Sequence, residues 1–348
     1  MVTMADVARR AGVSKATVSR AFSQPDVVDK STRALVQAAV AELGYRPNEM
    51  ARGLASRSSK TVGVVINRFD SLYYGALLDG AEKAIAAEGF KMLAESTRER
   101  AEGEREAWSS LLERQCEAVV VHSDSLNDDE LTIWMQERPT SVLMNRFLHD
   151  VEDRCIHLDN RRGGAMAASY LYDKGHRTIA MVTGPRKFYE VRDRSAGFME
   201  TLRGLGVTPH VIESDFRVEG GYTAVLALLD RDPAITGIFF QNDEMAAGAY
   251  EACRERGVRV PDDLSMIGFD DIPVARHLMP KLTTIRQPLR DIGGAAGQLA
   301  HALATGQSDT SHIPRVFEAE VVERASVVEV KQMSHNIGAK ALKQEENQ

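Results

Sequence analysis

Apolar residues recur at helical spacing as far as Gly44 and in short β-branched runs from Thr61 onward, so the chain predicts two architectures in succession. Met4, Val7, Ala8 and Ala11 share one face of a short helix that Thr3 can cap, with Asp6 three positions on completing a capping box. Gly12 ends it. Ser14 caps a second helix in which Val18 and Phe22 form an i, i+4 apolar pair that packs back, leaving Lys15, Ala16, Thr17, Ser19 and Arg20 to face a partner. Asp29 caps a third, with Thr32, Leu35, Ala39 and Leu43 at helical spacing until Gly44. Two short helices across a glycine turn, the second with small and hydrogen-bonding side chains near its N-terminus, predict a helix-turn-helix that meets DNA. This three-helix headpiece spans residues 1–46.

Pro47 breaks the chain, and Asn48 can cap a short helix over 49–56 that is too short to be stable alone in water. Residues 47–60 therefore read as a hinge helix and linker. Beyond them, runs at 62–66, 118–121, 141–144, 178–182, 236–240 and 265–269 predict strands, and 72–87, 104–113, 165–174, 195–205, 220–229 and 243–256 predict helices. Regular alternation implies an α/β fold with parallel sheets covered on both faces and ligands beyond the carboxyl ends of the strands. Residues 61–330 exceed one sheet, so two doubly wound parallel-sheet lobes with a cleft between them are expected. The glycine pairs Gly163-Gly164 and Gly220-Gly221 read as turns, and 331–348 as a mobile tail.

Charge sharpens the division. Of the total of −7, the first sixty residues carry ten Lys or Arg against five Asp or Glu, about +5, which leaves about −12 for the rest. A basic head on an acidic body suits phosphate attraction that weakens with salt, and equally a solvated surface. Cys116, Cys155 and Cys253 are odd in number and lack metal-ligand spacing, which predicts reduced, buried thiols and a cytoplasmic protein. No export signal or membrane span is expected. Without a P-loop, GxGxxG, GxSxG or HExxH motif, neither an enzyme nor a bound cofactor or metal is expected.

Several runs resemble the lactose/galactose repressor family of bacterial transcription regulators: Asp6-Val-Ala-x-x-Ala-Gly-Val-Ser-x-x-Thr-Val-Ser-Arg20, Gly44-Tyr-x-Pro-Asn48, Arg194-Ser-Ala-Gly-Phe198, Asn242-Asp243-x-Met-Ala-x-Gly248 and Ser265-x-Ile-Gly-Phe-Asp-Asp271. Within that family the chain is most similar to regulators of galactose and β-glucoside use. The resemblance implies lobes of periplasmic-binding-protein type, an N-lobe over about 61–157 and 287–313 and a C-lobe over about 158–286 and 314–330. It further implies a homodimer on double-stranded operator DNA, with Lys15, Ala16 and Arg20 at base edges, Thr17 or Ser19 at phosphates, and Ser14, Asn48 and Ala51 in the interface. Leu54 would wedge into a minor-groove base step, which suits an apolar side chain on a small polar helix.

For a small-molecule effector, a sugar, the resemblance places Arg194, Asn242 and Asp270 on hydroxyls, Phe216 as ring platform, Tyr73 and Tyr74 at the mouth, and Asn145 and Asp159 as further acceptors. Arg194 and Asp270 can pair with each other when the cleft is empty, and Asp271 can serve as a helix cap. Phe216 and Tyr74 also suit a core. The alternative is a corepressor-dependent regulator that stacks a purine on Phe216.

Overall fold

Thr3 and Asp6 exchange hydrogen bonds between side chain and backbone, and this box starts helix α1 (Met4–Ala11). Gly12, at φ 69°, turns the chain into α2 (Lys15–Ser23), capped by Ser14, and a 3-10 turn at Pro25–Val27 leads to α3 (Lys30–Leu43), capped by Asp29. The computed structural model describes residues 2–45 and 58–331 in two units, divided between Ser59 and Lys60. In the first unit Val7, Ala8, Val18, Val36, Ala39 and Tyr45 are buried, with Met4, Ala11, Phe22, Val40 and Leu43 packed on them. Leu35 departs from expectation: it is 56% exposed, and the buried face of α3 runs one residue on, through Val36, Ala39, Val40 and Leu43. The expected helix over 49–56 and tail over 332–348, with Asn48, Ala51 and Leu54, lie outside the described residues.

In the second unit β1 (Thr61–Ile66), β2 (Lys91–Ser96), β3 (Ala118–Val121), β4 (Ser141–Met144), β5 (Cys155–Leu158) and a late short strand (Val316–Phe317) form one parallel sheet. Its order places the late strand beside β5, followed by β4, β3, β1 and β2. The second sheet takes β6 (Ile179–Thr183), β7 (His210–Glu213), β8 (Gly237–Phe240), β9 (Ser265–Asp270) and β10 (Thr283–Arg286) in parallel, and Glu320–Val322 antiparallel on the edge of β10. The chain crosses between sheets after Leu158, after Arg286 and after Phe317. The last crossing corrects the expected boundary at 313/314, because Val316 and Phe317 still pair with His157 and Leu158. β2, β5, β7 and β10 are absent from the predicted strands: Lys91–Ser96 has no β-branched residue, and in His210–Glu213 the apolar run is only Val211 and Ile212.

The helices are α4 (Leu72–Ala87), α5 (Ala101–Glu113), α6 (Asp128–Glu137), α7 (Asn160–Asp173), α8 (Tyr189–Gly204), α9 (Val218–Arg231), α10 (Asp243–Arg256), the short α11 (Pro273–His277) and α12 (Leu289–Ala304). α7 and α8 begin before the predicted 165 and 195, since their first turns are polar. Gly164 and Gly221 are not in turns. They lie inside helices, and three helix pairs touch backbone to backbone through reciprocal glycines: Gly80 with Gly293, Gly164 with Gly197, Gly221 with Gly248. A Cβ on Gly164 would stand 2.1 Å from the Arg194 carbonyl oxygen, and one on Gly197 would stand 1.8 Å from that of Arg161. This contact holds α8 against α7 and thereby fixes where Arg194 stands.

Cys116, Cys155 and Cys253 are buried and unpaired, and no helix among the described residues is long and apolar enough to cross a membrane. Replacing Gly197 with Ala should destabilise the second unit by about 1–3 kcal/mol, because neither backbone can yield cheaply. Gly204→Ala, where a Cβ meets nothing within 4 Å, should stay within about 1 kcal/mol of wild type. Denaturant unfolding of the two variants checks the contrast.

Candidate functional site

On the first unit, α2 turns Lys15, Ala16, Ser19 and Arg20 outward while Val18 is buried. Ser14 Oγ accepts the Thr17 amide at 3.0 Å and lies 2.8 Å from Thr17 Oγ1, so these two hydroxyls first satisfy the helix start. Arg9 and Arg10 are drawn into ion pairs with Asp6 and Glu42, whereas Lys15 and Arg20 make none among the described residues. The second helix thus carries unneutralised positive charge beside small side chains, the surface that a major groove can receive.

In the second unit a small cavity of about 50 Å³ lies at the carboxyl ends of the strands of both sheets, the place where α/β folds bind ligands. Tyr73, Tyr74, Arg194, Phe216, Asn242 and Asp270 all line it. Arg194 is buried with its guanidinium carbon 3.9 Å from the centre of the Phe269 ring. Its Nε donates to Asn160 Oδ1 and its Nη1 to the Gln241 carbonyl, both at 2.8 Å, which leaves Nη2 without a protein partner among the described residues. It does not pair with Asp270, whose carboxylate accepts from Gln287 instead. Asp270 leaves its strand at φ 109° and Phe216 sits at φ 65°, both in the left-handed region that costs a side chain about 1–3 kcal/mol. Each is thereby turned off its element into the cavity.

Phe216 rests on Gly184 and lies parallel to Phe188, with centroids 6.1 Å apart. Asn242 caps α10 through Met245 N and donates to the Phe216 carbonyl at 3.0 Å, so it also anchors the platform. Tyr73 and Tyr74 form the floor of the cavity, not its mouth. Their hydroxyls accept from buried Asn145 at 2.7 Å and buried Asn67 at 2.9 Å. Asn145, at φ 61°, therefore acts behind Tyr73 and does not line the cavity.

Asp159 is outside the lining too. It caps α7 by accepting the Arg162 amide at 2.9 Å, and its neighbour Asn160 is the one that reaches Arg194. Asp271 does not cap a helix; its buried carboxylate gathers Arg276, Arg286 and Arg324. Arg68, Ser71, Glu99, Phe188 and Glu190 also line the cavity and were not read from the sequence. Glu190 lies one helical turn from Arg194, the signal that could have found it.

The comparisons with known proteins fit both halves. Residues 3–48 match the model of bacterial regulatory proteins of the lacI family, and residues 168–327 match a periplasmic binding protein-like domain. The chain is 37% identical over 330 residues to the HTH-type transcriptional regulator GalS of Salmonella typhimurium, covering 94% of this chain and 97% of that one. The chain belongs to the LacI family. It is also 33% identical over 327 residues to the HTH-type transcriptional repressor CytR of Escherichia coli, 93% of this chain and 96% of that one. A solved Lac repressor dimer bound to operator and an anti-inducer superposes with a TM-score of 0.85 at 27% identity, over 94% of this chain and 99% of that one. This LacI-family chain is accordingly a DNA-binding transcriptional regulator whose relatives are regulators and not enzymes.

Electrostatics set the regulator's cleft apart from its surface. Burial, and after it the carboxylate of Asp124, pushes Glu190 up to about 7, and Glu190 Oε2 has no hydrogen-bond partner among the described residues. Asp124 rises to about 7 through burial and Glu104; Asp270 rises to about 7 through burial, opposed by Arg194. Burial lowers His122, leaving it neutral at pH 7. A carboxyl raised in the folded state binds more protons folded than unfolded, so its contribution is fully present at low pH and is lost as pH climbs from about 4 to about 7. Glu190→Gln removes that loss. Its stability advantage over wild type should grow between pH 5 and 7.5 and then level off at on the order of 3 kcal/mol, since one pKa unit is about 1.4 kcal/mol. Thermal unfolding of the pair across pH checks this, and a pH-independent difference would contradict it.

Proposed function

We propose that this regulator is a repressor of carbohydrate-use genes that acts in the cytoplasm as a homodimer and leaves its operator when a sugar fills the cleft. The observation that carries the reading is the makeup of that cavity. It combines a tethered guanidinium, Glu190 with an unsatisfied oxygen and Asp270 with the ring faces of Phe216 and Phe188. Vicinal hydroxyls match charged bidentate groups, and the C–H face of a pyranose matches an aromatic ring. Met279, 84% exposed beside Leu278, Tyr250 and Pro280, gives the C-lobe an apolar patch that supports pairing of two copies.

At the operator, Arg20 would read a guanine through a paired contact, Lys15 would add a second cation, and Ala16 offers only apolar contact, as to a thymine methyl. Because Ala16 contributes so little discrimination, further readout falls to Asn48, Ala51 and Leu54 on the expected hinge helix. A sugar that binds one lobe arrangement better than the other shifts the distance between the linkers and with it operator affinity.

Arg20→Ala should cost about 1–3 kcal/mol of operator affinity and relax specificity at one base pair, while Lys15→Ala should lower the salt slope by about one. Filter-binding titrations at several salt concentrations measure both. Galactose, other sugars, β-glucosides and purines, screened by thermal shift and then by operator release, test the effector. Arg194→Ala should raise the releasing sugar concentration by about two orders of magnitude, the size of two lost charged hydrogen bonds. Normal release by that variant would disprove the pocket assignment, and a purine that tightens operator binding would replace the inducer by a corepressor.

A further inference from the structure

Between the two lobes runs a chain of reciprocal charges that neither the floor of the cavity nor its ring platform requires. The N-lobe offers Arg68, from the loop after β1, and Glu99, from the loop after β2; the C-lobe offers Glu244, in the first turn of α10, and Arg217, just before α9. Arg68 Nη2 donates to Glu244 Oε2 at 2.7 Å, and Ser71 Oγ donates to Glu244 Oε1 at 2.8 Å. Arg217 Nη2 donates to Glu99 Oε2 at 3.1 Å, and Arg68 Nε stands 3.9 Å from Glu99 Oε1, joining the two pairs. Side-chain exposure climbs along this chain, 14% at Arg68, 17% at Glu244, 33% at Glu99 and 42% at Arg217, which identifies it as a rim between the cavity and solvent. Arg98 and Glu99 are consecutive non-glycine residues at φ 55° and 59°, a strained turn that holds Glu99 toward the other lobe.

We propose that this rim is a length gate, closing the cleft over a single sugar ring and excluding glycosides that carry a second ring outward past Glu244. The inference rests on reading the cleft as a carbohydrate site. An extended ligand would have to part Arg68 from Glu244 or hold the lobes open, and either breaks the shortest ion pair of the rim between two largely buried groups, leaving Arg68 only the longer contacts to Asp70 and Glu99 and Glu244 only the Ser71 hydroxyl. The outer pair, Arg217 with Glu99, is half solvated and screened, so it adds little. Discrimination therefore falls chiefly on Glu244, which receives two donors and does not itself line the cavity.

The test uses the full-length protein and calorimetric titration with galactose, glucose and xylose against lactose, cellobiose and xylobiose, read as the affinity ratio of each single ring to its two-ring partner. In wild type the ratio for the recognised ring should be about 100 or more, the loss of one or two charged hydrogen bonds. Glu244→Gln should bring it below about 10, Glu244→Asp, which keeps the charge, should restore most of it, and Arg217→Ala should change it less than about threefold. Equal affinity for one and two rings in wild type, or a ratio unmoved by Glu244→Gln, overturns the gate and leaves the sugar reading standing. If sugars of neither length bind, the carbohydrate reading falls and the gate falls with it.

Discussion

A guanidinium taken out of solvent has to be tethered, and Arg194, tied on three sides with Nη2 left toward the cavity, is the point on which the C-lobe half of the cleft depends. It lies flat on Phe269, donates to Asn160 at the start of α7, and donates to the Gln241 carbonyl at the end of β8. These three partners come from three separate segments of the lobe, so one charged group ties together segments that packing alone would only bring near one another. The tie works because Gly164 and Gly197 let α7 and α8 meet at backbone distance. A methyl group at either position would separate the helices and lift Arg194 away from Asn160. Packing and site are the same constraint here, which is why large residues are missing where two helices bear on a polar cavity.

Around that anchor, strain is placed where a side chain must leave its element. Phe216, Asp270 and Asn145 adopt left-handed backbone angles, and Asn242 and Gln287 supply the hydrogen bonds that keep the first two in place. Asp271, next in the chain to Asp270, shows the other use of a buried carboxylate. Hydrogen bonds from Arg324 and Arg286 outweigh the effect of burial and hold its pKa below the usual value, so it is a fixed structural charge. Asp270, with an amide for a partner, remains responsive.

How much of this was legible follows from how local each signal is. The headpiece was readable almost residue by residue, because caps, glycine stops and the i, i+4 pair are short-range and Thr3, Ser14, Asp29, Gly12 and Gly44 perform the roles their chemistry suggests. Leu35 was misplaced because Val36 and Val40 make an equally good stripe one residue on, and propensity cannot choose between neighbouring faces. In the cleft, Arg194, Asn242 and Asp270 lie in family motifs and Phe216 in a position the resemblance implies, and all four line the cavity, whereas Asp159 and Asn145 do not. Each follows the end of a strand, and only the fold says whether a strand end looks into the cleft or down a helix axis. Glu99, Arg68 and Glu244 were invisible because each makes sense only beside a partner from the other lobe. The glycine pairs were legible as glycines and misread as turns, since close approach of two helices is a fact about both.

Under the proposed reading, the cluster of raised carboxyls also explains where the free energy of a switch can come from. Moving a two-state protein from 1:99 to 99:1 takes about 5.5 kcal/mol of differential affinity, more than the few hydroxyl contacts of a sugar supply if both states make them equally. Glu190 and Asp270, which line the cavity, are each held at about 7 by burial, so the unliganded cleft carries a desolvation cost in both. Hydroxyls donated to these carboxylates favour their ionised forms and draw each pKa back down, at about 1.4 kcal/mol per unit. Glu190 and Asp270 line the cavity from the C-lobe while Arg68, Ser71 and Tyr73 line it from the N-lobe, so only the closed arrangement lets one ligand touch both sides. The ligand then stabilises one state by an amount that the other cannot match, which is the condition a population shift imposes.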